Sequence, residues 1–409
     1  MRRLEVRLDW GDSATVLGTL AEHERRVYFE YDAGFLAGPL PISPFKLAPR
    51  AGIVEHTDRE FGPVFGVFND SLPDGWGLLL MDREFRRRGV SVRALSVLDR
   101  LAYIHTRGMG ALTYHPPADA TPESAAALDL GELARQADRI LQGSAEEVLP
   151  ALRIAGGSPG GARPKVLAAL SDAGHMVTGT ERAPEGHRQY LIKFAAREDP
   201  ADIGPLEAAY ARMAATAGVA VPASRLFETP DGGRYFGVER FDRSPDGRVH
   251  MHTLGGLFHA SHRLPSLDYE ALLTATLELT KDHRQLDEAF RRMAFNVIAH
   301  NRDDHVKNFS YLMDRKGMWT LAPAYDLVFS HGPGGEHTMA VAGEAVRPTG
   351  SDMLRVADAC GVDARRAREI IQQVEQAVSE WPRHAHDTGV SARTEREVGG
   401  VITVPLDRR

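Results

Sequence analysis

The chain has 409 residues, enough for two or three domains and a sizeable core, and its 43% hydrophobic and 26% charged residues are ordinary for a globular protein. A formal charge of −7 argues against a large electrostatic footprint for naked DNA or RNA, and the single cysteine, Cys360, excludes a disulfide framework and a thiolate metal site. The opening Met1-Arg2-Arg3-Leu4-Glu5-Val6-Arg7-Leu8-Asp9 alternates like a strand without the apolar stretch of a secretion signal, and no apolar run is long enough to span a membrane, so a cytoplasmic protein is expected.

Residues 1–31 predict a small antiparallel sheet. Leu4 to Leu8 alternates, Gly11-Asp12 offers a turn, and Arg26-Val27-Tyr28-Phe29-Glu30-Tyr31 is a second β-prone run. After a Pro/Gly-rich passage, Phe68-Asn69-Asp70-Ser71-Leu72-Pro73-Asp74-Gly75-Trp76-Gly77 leads into a helix that runs to Arg88 and stops at Gly89. Arg86-Arg87-Arg88, the densest basic cluster, reads as solvated charge complementing the end of that helix. Arg107 to Tyr114 reads as a strand closing this unit, and the proline-rich stretch Pro116 to Pro122 is the best linker, which places a first domain at 1–116.

Beyond the linker, a helix over 131–142 precedes the glycine-rich segment Ala155-Gly156-Gly157-Ser158-Pro159-Gly160-Gly161-Ala162-Arg163-Pro164-Lys165, and a β-type run, Val166 to Leu170, follows it. Gln189 to Phe194 is a strand. Leu206, Tyr210, Met213, Ala214 and Ala217 share one face of a helix from Pro205 to Ala217, capped by Gly218, and Tyr235 to Asp242 is a further strand. Strand, loop, strand, helix, strand is the order of a kinase N-lobe, assigned to 117–242.

The remainder, 243–409, reads as a mainly helical lobe. One helix runs from Asp268 to Thr280; another, marked by Leu286, Phe290, Met293, Ala294, Val297 and Ile298, delivers the chain to Asp303. Phe309 to Met313 and Met318 to Leu321 pair across Asp314-Arg315-Lys316-Gly317. Asp363 starts a helix with the stripe Ala367, Ile370, Ile371, Val374, Ala377, Val378 and Trp381, ended by Pro382, and the tail beyond Asp387 is expected to be mobile. The expected fold class is α+β: a small β-rich N-terminal domain followed by a two-lobed protein-kinase-like domain.

Phosphoryl transfer is mostly positioning plus charge neutralisation, and it needs a phosphate cradle, a lysine, magnesium ligands and a base. Asp303 and Asn308 stand five positions apart, and Asp326 follows a hairpin later, the layout of a working loop in which one carboxylate takes a proton while an Asn and a second carboxylate hold magnesium. Lys193 lies on an apolar strand, where an ammonium is costly unless it is paired or binds a ligand, and Glu207 on the next helix is placed to pair with it. The glycine-rich segment suits close backbone approach to phosphates but is not a Walker loop, because Ala162-Arg163 follows Gly161. Gly156, Ser158 and Gly160 also fit the nucleophile elbow of a serine hydrolase, but Pro159 has no N–H to offer an oxyanion. Asp304 breaks the register with Asn308. His305, with His300 at no zinc spacing, reads as a packed, hydrogen-bonded residue shaping the loop.

Asp303-Asp304-His305-Val306-Lys307-Asn308-Phe309-Ser310, Val238-Glu239-Arg240-Phe241-Asp242-Arg243 and Ala322-Pro323-Ala324-Tyr325-Asp326-Leu327 resemble the signature blocks of the HipA family of serine/threonine-kinase toxins. Phe68 to Asp74 resembles that family's N-terminal domain, and His337-Thr338-Met339-Ala340-Val341 a later block, so the similarity covers nearly the whole chain. The resemblance implies that Asp303 is the base, Asn308 and Asp326 the magnesium ligands and Lys193 the phosphate-contacting lysine. Glu239 and Phe241 would lie at the hinge beside adenine, with Gly157, Ser158, Gly160 and Gly161 in the phosphate loop. It further implies ATP and Mg2+, a protein substrate such as an aminoacyl-tRNA synthetase, and a HipB-like DNA-binding antitoxin through which alone the protein meets DNA. Ser158 is the candidate for autophosphorylation, although the segment is longer here than in the best-known pattern. The alternatives are a kinase of the same fold acting on a small molecule or lipid headgroup, and a non-catalytic binding module.

Overall fold

Alternation of apolar residues buries Leu4, Val6 and Leu8 on one face of β1 (Arg2–Asp9), the strand on which the N-terminal sheet is built. The computed structural model describes residues 2–118, 127–143, 152, 161–178, 183–244 and 247–403. With β2 (Ala14–His23), β3 (Arg26–Tyr31), β4 (Ile53–Glu55) and β5 (Leu112–His115), β1 forms an antiparallel sheet in the order β4-β3-β2-β1-β5. The expected helix spans Gly75–Arg87, and Gly89 follows it with φ +73°. Two of its terminal arginines are not simply solvated: Arg87 and Arg88 both hold the buried carboxylate of Glu84, at 2.8 and 2.6 Å.

A second antiparallel sheet holds β6 (Lys165–Ser171), β7 (Met176–Thr178), β8 (His187–Lys193), β9 (Ser224–Glu228) and β10 (Arg234–Glu239), in the order β7-β6-β8-β10-β9. The helix Ile203–Thr216 lies across β9 and β10, so closely that a Cβ on Gly204 would meet the Arg234 carbonyl at 2.4 Å. Its face forms as the periodicity predicts: Leu206, Tyr210, Met213, Ala214 and Ala217 are buried, and Gly218 (φ +77°) ends it.

The helical region contains Tyr269–Thr280, His283–Ile298, Gly350–Cys360 and Ala364–Ser379. The predicted hairpin, Ser310–Met313 with Trp319–Leu321, is present, and an unforeseen strand, His250–Thr253, joins it. The helix Ala364–Ser379 ends before Pro382 as expected, but Trp381 is not on it: Trp381 and Pro382 begin a further helix, Trp381–Thr388, in whose first turn the missing proline N–H has no role to fill. The tail is not mobile over its described length, since Ala392–Ile402 is a helix capped by Ser391, with Val398 and Ile402 buried.

Buried carboxylates join these parts. Asp242, fully buried, accepts paired bonds from Arg240 (3.0 and 2.7 Å), one from Arg243 (2.7 Å) and one from the Gly110 amide (2.7 Å), tying the exit of β10 to the loop before β5. Burial opposes its charge, but Arg240 and Arg243 hold its carboxyl well below the usual range. Asp70 accepts from His252 Nδ1 (2.6 Å), the Thr253 amide (2.7 Å) and Thr253 Oγ1 (2.7 Å), docking the N-terminal region on the three-stranded sheet.

Asp202, just before the Ile203–Thr216 helix, accepts from the Ser391 amide at 2.8 Å and from Thr394 Oγ1 at 3.0 Å. Asp202→Ala would strand both donors and should cost about 1–3 kcal/mol, read as a lower urea midpoint; an unchanged midpoint would detach the C-terminal helix from the fold. His250 is fully buried, donates through Nε2 to the Ile42 carbonyl at 2.9 Å, and is pushed by burial down to about 4. Its folded value lies below the ordinary ~6.5, so the unfolded chain binds more protons between those limits, and the stability contribution present above ~6.5 is lost as pH falls through about 4. The thermal midpoint should therefore fall on acidification from pH 7 to 5, with a flatter slope in His250→Gln.

Candidate functional site

Lys193 ends β8 and Lys165 begins β6, and the register pairs them directly, so both ammonium groups leave the same face of the sheet. Both are buried. Like charges side by side are unfavourable without counter-charge, and the fold supplies it from two other segments. Lys193 Nζ donates to Glu207 Oε1 at 2.8 Å and to Asp326 Oδ1 at 2.5 Å, and it lies 5.9 Å from the centre of the Phe236 ring. Burial works against the Lys193 charge, but Asp326 and Glu207 overcome it and hold the ammonium above its ordinary value. Asp326 shows the complement: burial opposes its ionisation, yet Lys193 and Lys165 keep it well below the carboxylate range. Lys165 has weaker compensation, and burial lowers it.

Arg163, on the described end of the glycine-rich segment, reaches Glu207 Oε1 and Asp199 Oδ1, each at 3.0 Å. Glu207 is therefore shared between a lysine and an arginine, and its side chain is only 3% exposed. The Asp326 side chain is 38% exposed, so that carboxylate meets Lys193 on one side and open space on the other. Its φ of +53° is a backbone conformation non-glycine residues rarely adopt, and such strain clusters at functional sites.

The helix His283–Ile298 delivers the catalytic-type loop, held at its root by the Asn301 amide on Asn296 O (2.9 Å) and Asn301 Nδ2 on Asn296 Oδ1 (3.0 Å). Asp303 is exposed, and its carbonyl accepts from Asn308 Nδ2 at 2.7 Å, which leaves the Asn308 side-chain oxygen facing away from that bond. Tyr325 OH donates to the Lys307 carbonyl at 2.6 Å and pairs with Ser310 Oγ at 2.5 Å, so the residue beside Asp326 fixes this loop. Phe241 packs on the Tyr325 ring with centroids 5.7 Å apart, which brings it next to Asp326. The Glu239 carboxylate faces Arg188 at 3.8 Å. Gly157, Ser158 and Gly160 lie outside the described residues; Gly161 is within them. His305 packs against His262 (5.6 Å between centroids) as expected, but its Nδ1 is buried with no hydrogen-bond partner among the described residues.

Sequence reasoning passed over four residues at this cleft. Lys165 read as the last residue of the glycine-rich segment, and only strand register reveals it opposite Lys193. Arg163 figured only as a departure from the Walker pattern. Lys307 and Asp74 form an ion pair at 2.9 Å across 233 positions, which no local signal announces.

Asp304, beside the exposed Asp303, is fully buried and accepts from Tyr269 OH (2.7 Å), His337 Nδ1 (2.8 Å) and the Thr338 amide (2.7 Å). It anchors the segment after Asp326 to the catalytic-type loop, as do Arg302 on the Val346 carbonyl (2.7 Å) and the Ser330 amide on His300 O (3.0 Å). Asp304→Ala leaves three donors unmet and should cost about 1–3 kcal/mol or more. The exposed Asp303→Asn should change stability by less than about 0.5 kcal/mol. Chemical denaturation of the two variants distinguishes these neighbours, and equal losses would refute the assignment.

The family model for the HipA N-terminal domain matches residues 10–115, and that for the HipA-like C-terminal domain matches residues 157–381. The fold resembles HipA in the Shewanella oneidensis MR-1 complex of HipA, HipB and its operator DNA. The TM-score is 0.71 at 18% identity, over 98% of this chain and 95% of that one. Identity this low speaks to the fold alone: a β-rich N-terminal region and a helical C-terminal region. "Putative kinase Y4dM" of Sinorhizobium fredii is 30% identical over 98 residues, which is 24% of this chain and 24% of that protein. A "Putative kinase" of Haemophilus influenzae is 29% identical over 103 residues, 23% of this chain and 30% of that protein. The match thus spans less than a third of the length of either curated relative. Among the described residues no helix is long and apolar enough to cross a membrane. The C-terminal family match alone takes in more than half of the sequence, and the chain belongs to the HipA family.

Proposed function

We propose that this protein is an ATP-dependent serine/threonine protein kinase and the toxin of a HipBA-like toxin–antitoxin pair, dividing into 1–116, a kinase-like N-lobe at 117–242 and a helical lobe at 243–409. The observation that carries this reading is the meeting of Lys193, Glu207 and Asp326 within 2.8 Å, from a strand, a helix and the segment after a hairpin. That arrangement is what a metal-bound triphosphate requires of a protein.

Asp326 suits magnesium because it is held ionised and is partly exposed, and the Asn308 oxygen adds a second hard donor. Magnesium, when bound, would neutralise charge on the phosphates. Lys193 and Lys165 would bind phosphate oxygens, and Gly157, Ser158, Gly160 and Gly161 would line the phosphates. Phe241 and the Glu239 backbone would sit beside adenine. Asp303 would accept the proton of the attacking hydroxyl, and its exposure suits a hydroxyl carried on a polypeptide.

The names of the curated relatives favour kinase chemistry, and the HipB and operator DNA in the Shewanella oneidensis complex favour a HipB-like DNA-binding antitoxin as partner. DNA would be met through that antitoxin. The target would be a translation component such as an aminoacyl-tRNA synthetase in the cytoplasm, and Ser158 a site of self-modification.

Asp303→Asn should lower phosphate transfer by about 10²–10⁴ while leaving Mg-ATP affinity nearly intact. Asp326→Ala should abolish magnesium-dependent nucleotide binding. Radiolabel transfer and calorimetry measure the two; full transfer by Asp303→Asn, or unchanged affinity in Asp326→Ala, would refute the corresponding role. Phosphoproteomics after induction, with Asp303→Asn as control, would name the substrate, and labelling of a metabolite alone would redirect the reading to a small-molecule kinase.

A further inference from the structure

Asp74 belongs to the N-terminal region, yet its two carboxylate oxygens reach both walls of the cleft. Oδ1 accepts from the amide of Gly161, at the described end of the glycine-rich segment, and Oδ2 accepts from Lys307 Nζ, in the catalytic-type loop, at 2.9 Å. The Asp74 and Lys307 side chains are 22% and 21% exposed, so this ion pair is largely sheltered from water. Burial opposes the Asp74 charge, but Lys307 and the Gly161 amide hold the carboxyl below its ordinary value.

The residues after Asp74 strengthen the same contact. The Trp76 amide donates to the Gly161 carbonyl at 3.1 Å and Trp76 Nε1 to the Lys165 carbonyl at 3.1 Å. Between them Gly75 (φ +41°) lies where a Cβ would come 2.6 Å from both Ala162 Cα and the Gly161 carbonyl oxygen, so only glycine allows this approach. The two bonds from Trp76 therefore fix the N-terminal region on the glycine-rich side. Asp74 extends that hold to the opposite side, at the residue directly before Asn308.

We infer that Asp74 is a positioning residue: it clasps the glycine-rich segment to the catalytic-type loop and so sets how Asn308 and Asp303 stand relative to the phosphate-binding lysines. The inference deepens the kinase reading of this cleft and rests on it for its effect on turnover. The clasp itself does not depend on nucleotide.

The test uses the full chain with Asp74→Asn and Asp74→Ala. An asparagine keeps an oxygen for the Gly161 amide but loses the charge that holds Lys307; alanine loses both. In nucleotide-free protein, hydrogen exchange should accelerate at 305–308 in Asp74→Asn, and at both 161–165 and 305–308 in Asp74→Ala, with β1 and β2 unchanged. In transfer assays Asp74→Asn should lose about tenfold or more in kcat at an unchanged KM for Mg-ATP, whereas Asp74→Ala should also raise KM. Exchange at wild-type rates in both stretches would overturn the clasp even if the chain proves to be a kinase. So would a lower KM in Asp74→Asn, which would make the carboxylate a competitor of phosphate. A wild-type chain that binds no Mg-ATP would instead overturn the kinase reading, and the exchange rates would still decide for or against Asp74. Should Asp74→Ala not fold, Asp74→Asn carries the same comparison at 305–308.

Discussion

The buried ammonium of Lys193 is the constraint on which the cleft depends. Taking a lysine out of water is expensive unless opposite charge is supplied close by, and here it comes from Glu207 and Asp326, 14 and 133 positions away. The second sheet, the helix across it and the hairpin before Asp326 must therefore all be in place before Lys193 is satisfied. The two counter-ions are not equivalent. Glu207 is sealed between Lys193 and Arg163, while Asp326 keeps more than a third of its side chain open to solvent. Glu207 is fixed as a structural partner. Asp326 retains oxygen surface for a cation without giving up its place.

The same device recurs wherever distant segments meet. Asp74, Asp242 and Asp304 each collect donors from two separate stretches of chain, and Asp70 takes three from the distant pair His252-Thr253. Aspartate suits such joints: its two oxygens can accept several bonds, and its short side chain loses little rotamer freedom when fixed. The blocks that resemble HipA signatures are thus largely joints. Asp303 and Asp326 differ from these joints in keeping their carboxylates exposed or partly exposed. An aspartate's neighbours in sequence do not say which kind it is, as the exposed Asp303 and buried Asp304 show.

What was legible in the sequence follows from that distinction. Helix faces such as Leu206, Tyr210 and Met213, and the pairing of Lys193 with Glu207, were readable because they depend on local periodicity or a short spacing. Lys165 was not, because its meaning lies in the register of β6 against β8, which neither strand specifies alone. The strand His250–Thr253 escaped notice because its alternation is carried by two histidines, both fully buried. The last helix was misread for another reason. Its weak core-forming pattern suggested a mobile tail, but Gly399 is where Trp381 packs: an added Cβ would come 3.2 Å from that ring. A glycine that weakens the helix in isolation permits the contact that stabilises it.

That C-terminal structure bears on the site through the back of the Ile203–Thr216 helix. Tyr210, buried about one turn beyond Glu207 on the same helix, donates to the Ala299 carbonyl at 2.7 Å and meets the Trp381 ring with centroids 5.7 Å apart. Trp381 Nε1 in turn bonds the Glu395 carbonyl at 2.9 Å, and Asp202 at the start of the same helix holds Ser391 and Thr394. The Glu207-bearing helix is therefore gripped by the sheet on one side and by the helical region on the other. A helix held at its start, middle and both flanks has few alternative packings. Glu207 accordingly meets Lys193 as a built-in feature of the fold, and the Asp74 contact ties the two sides of the cleft by a separate route.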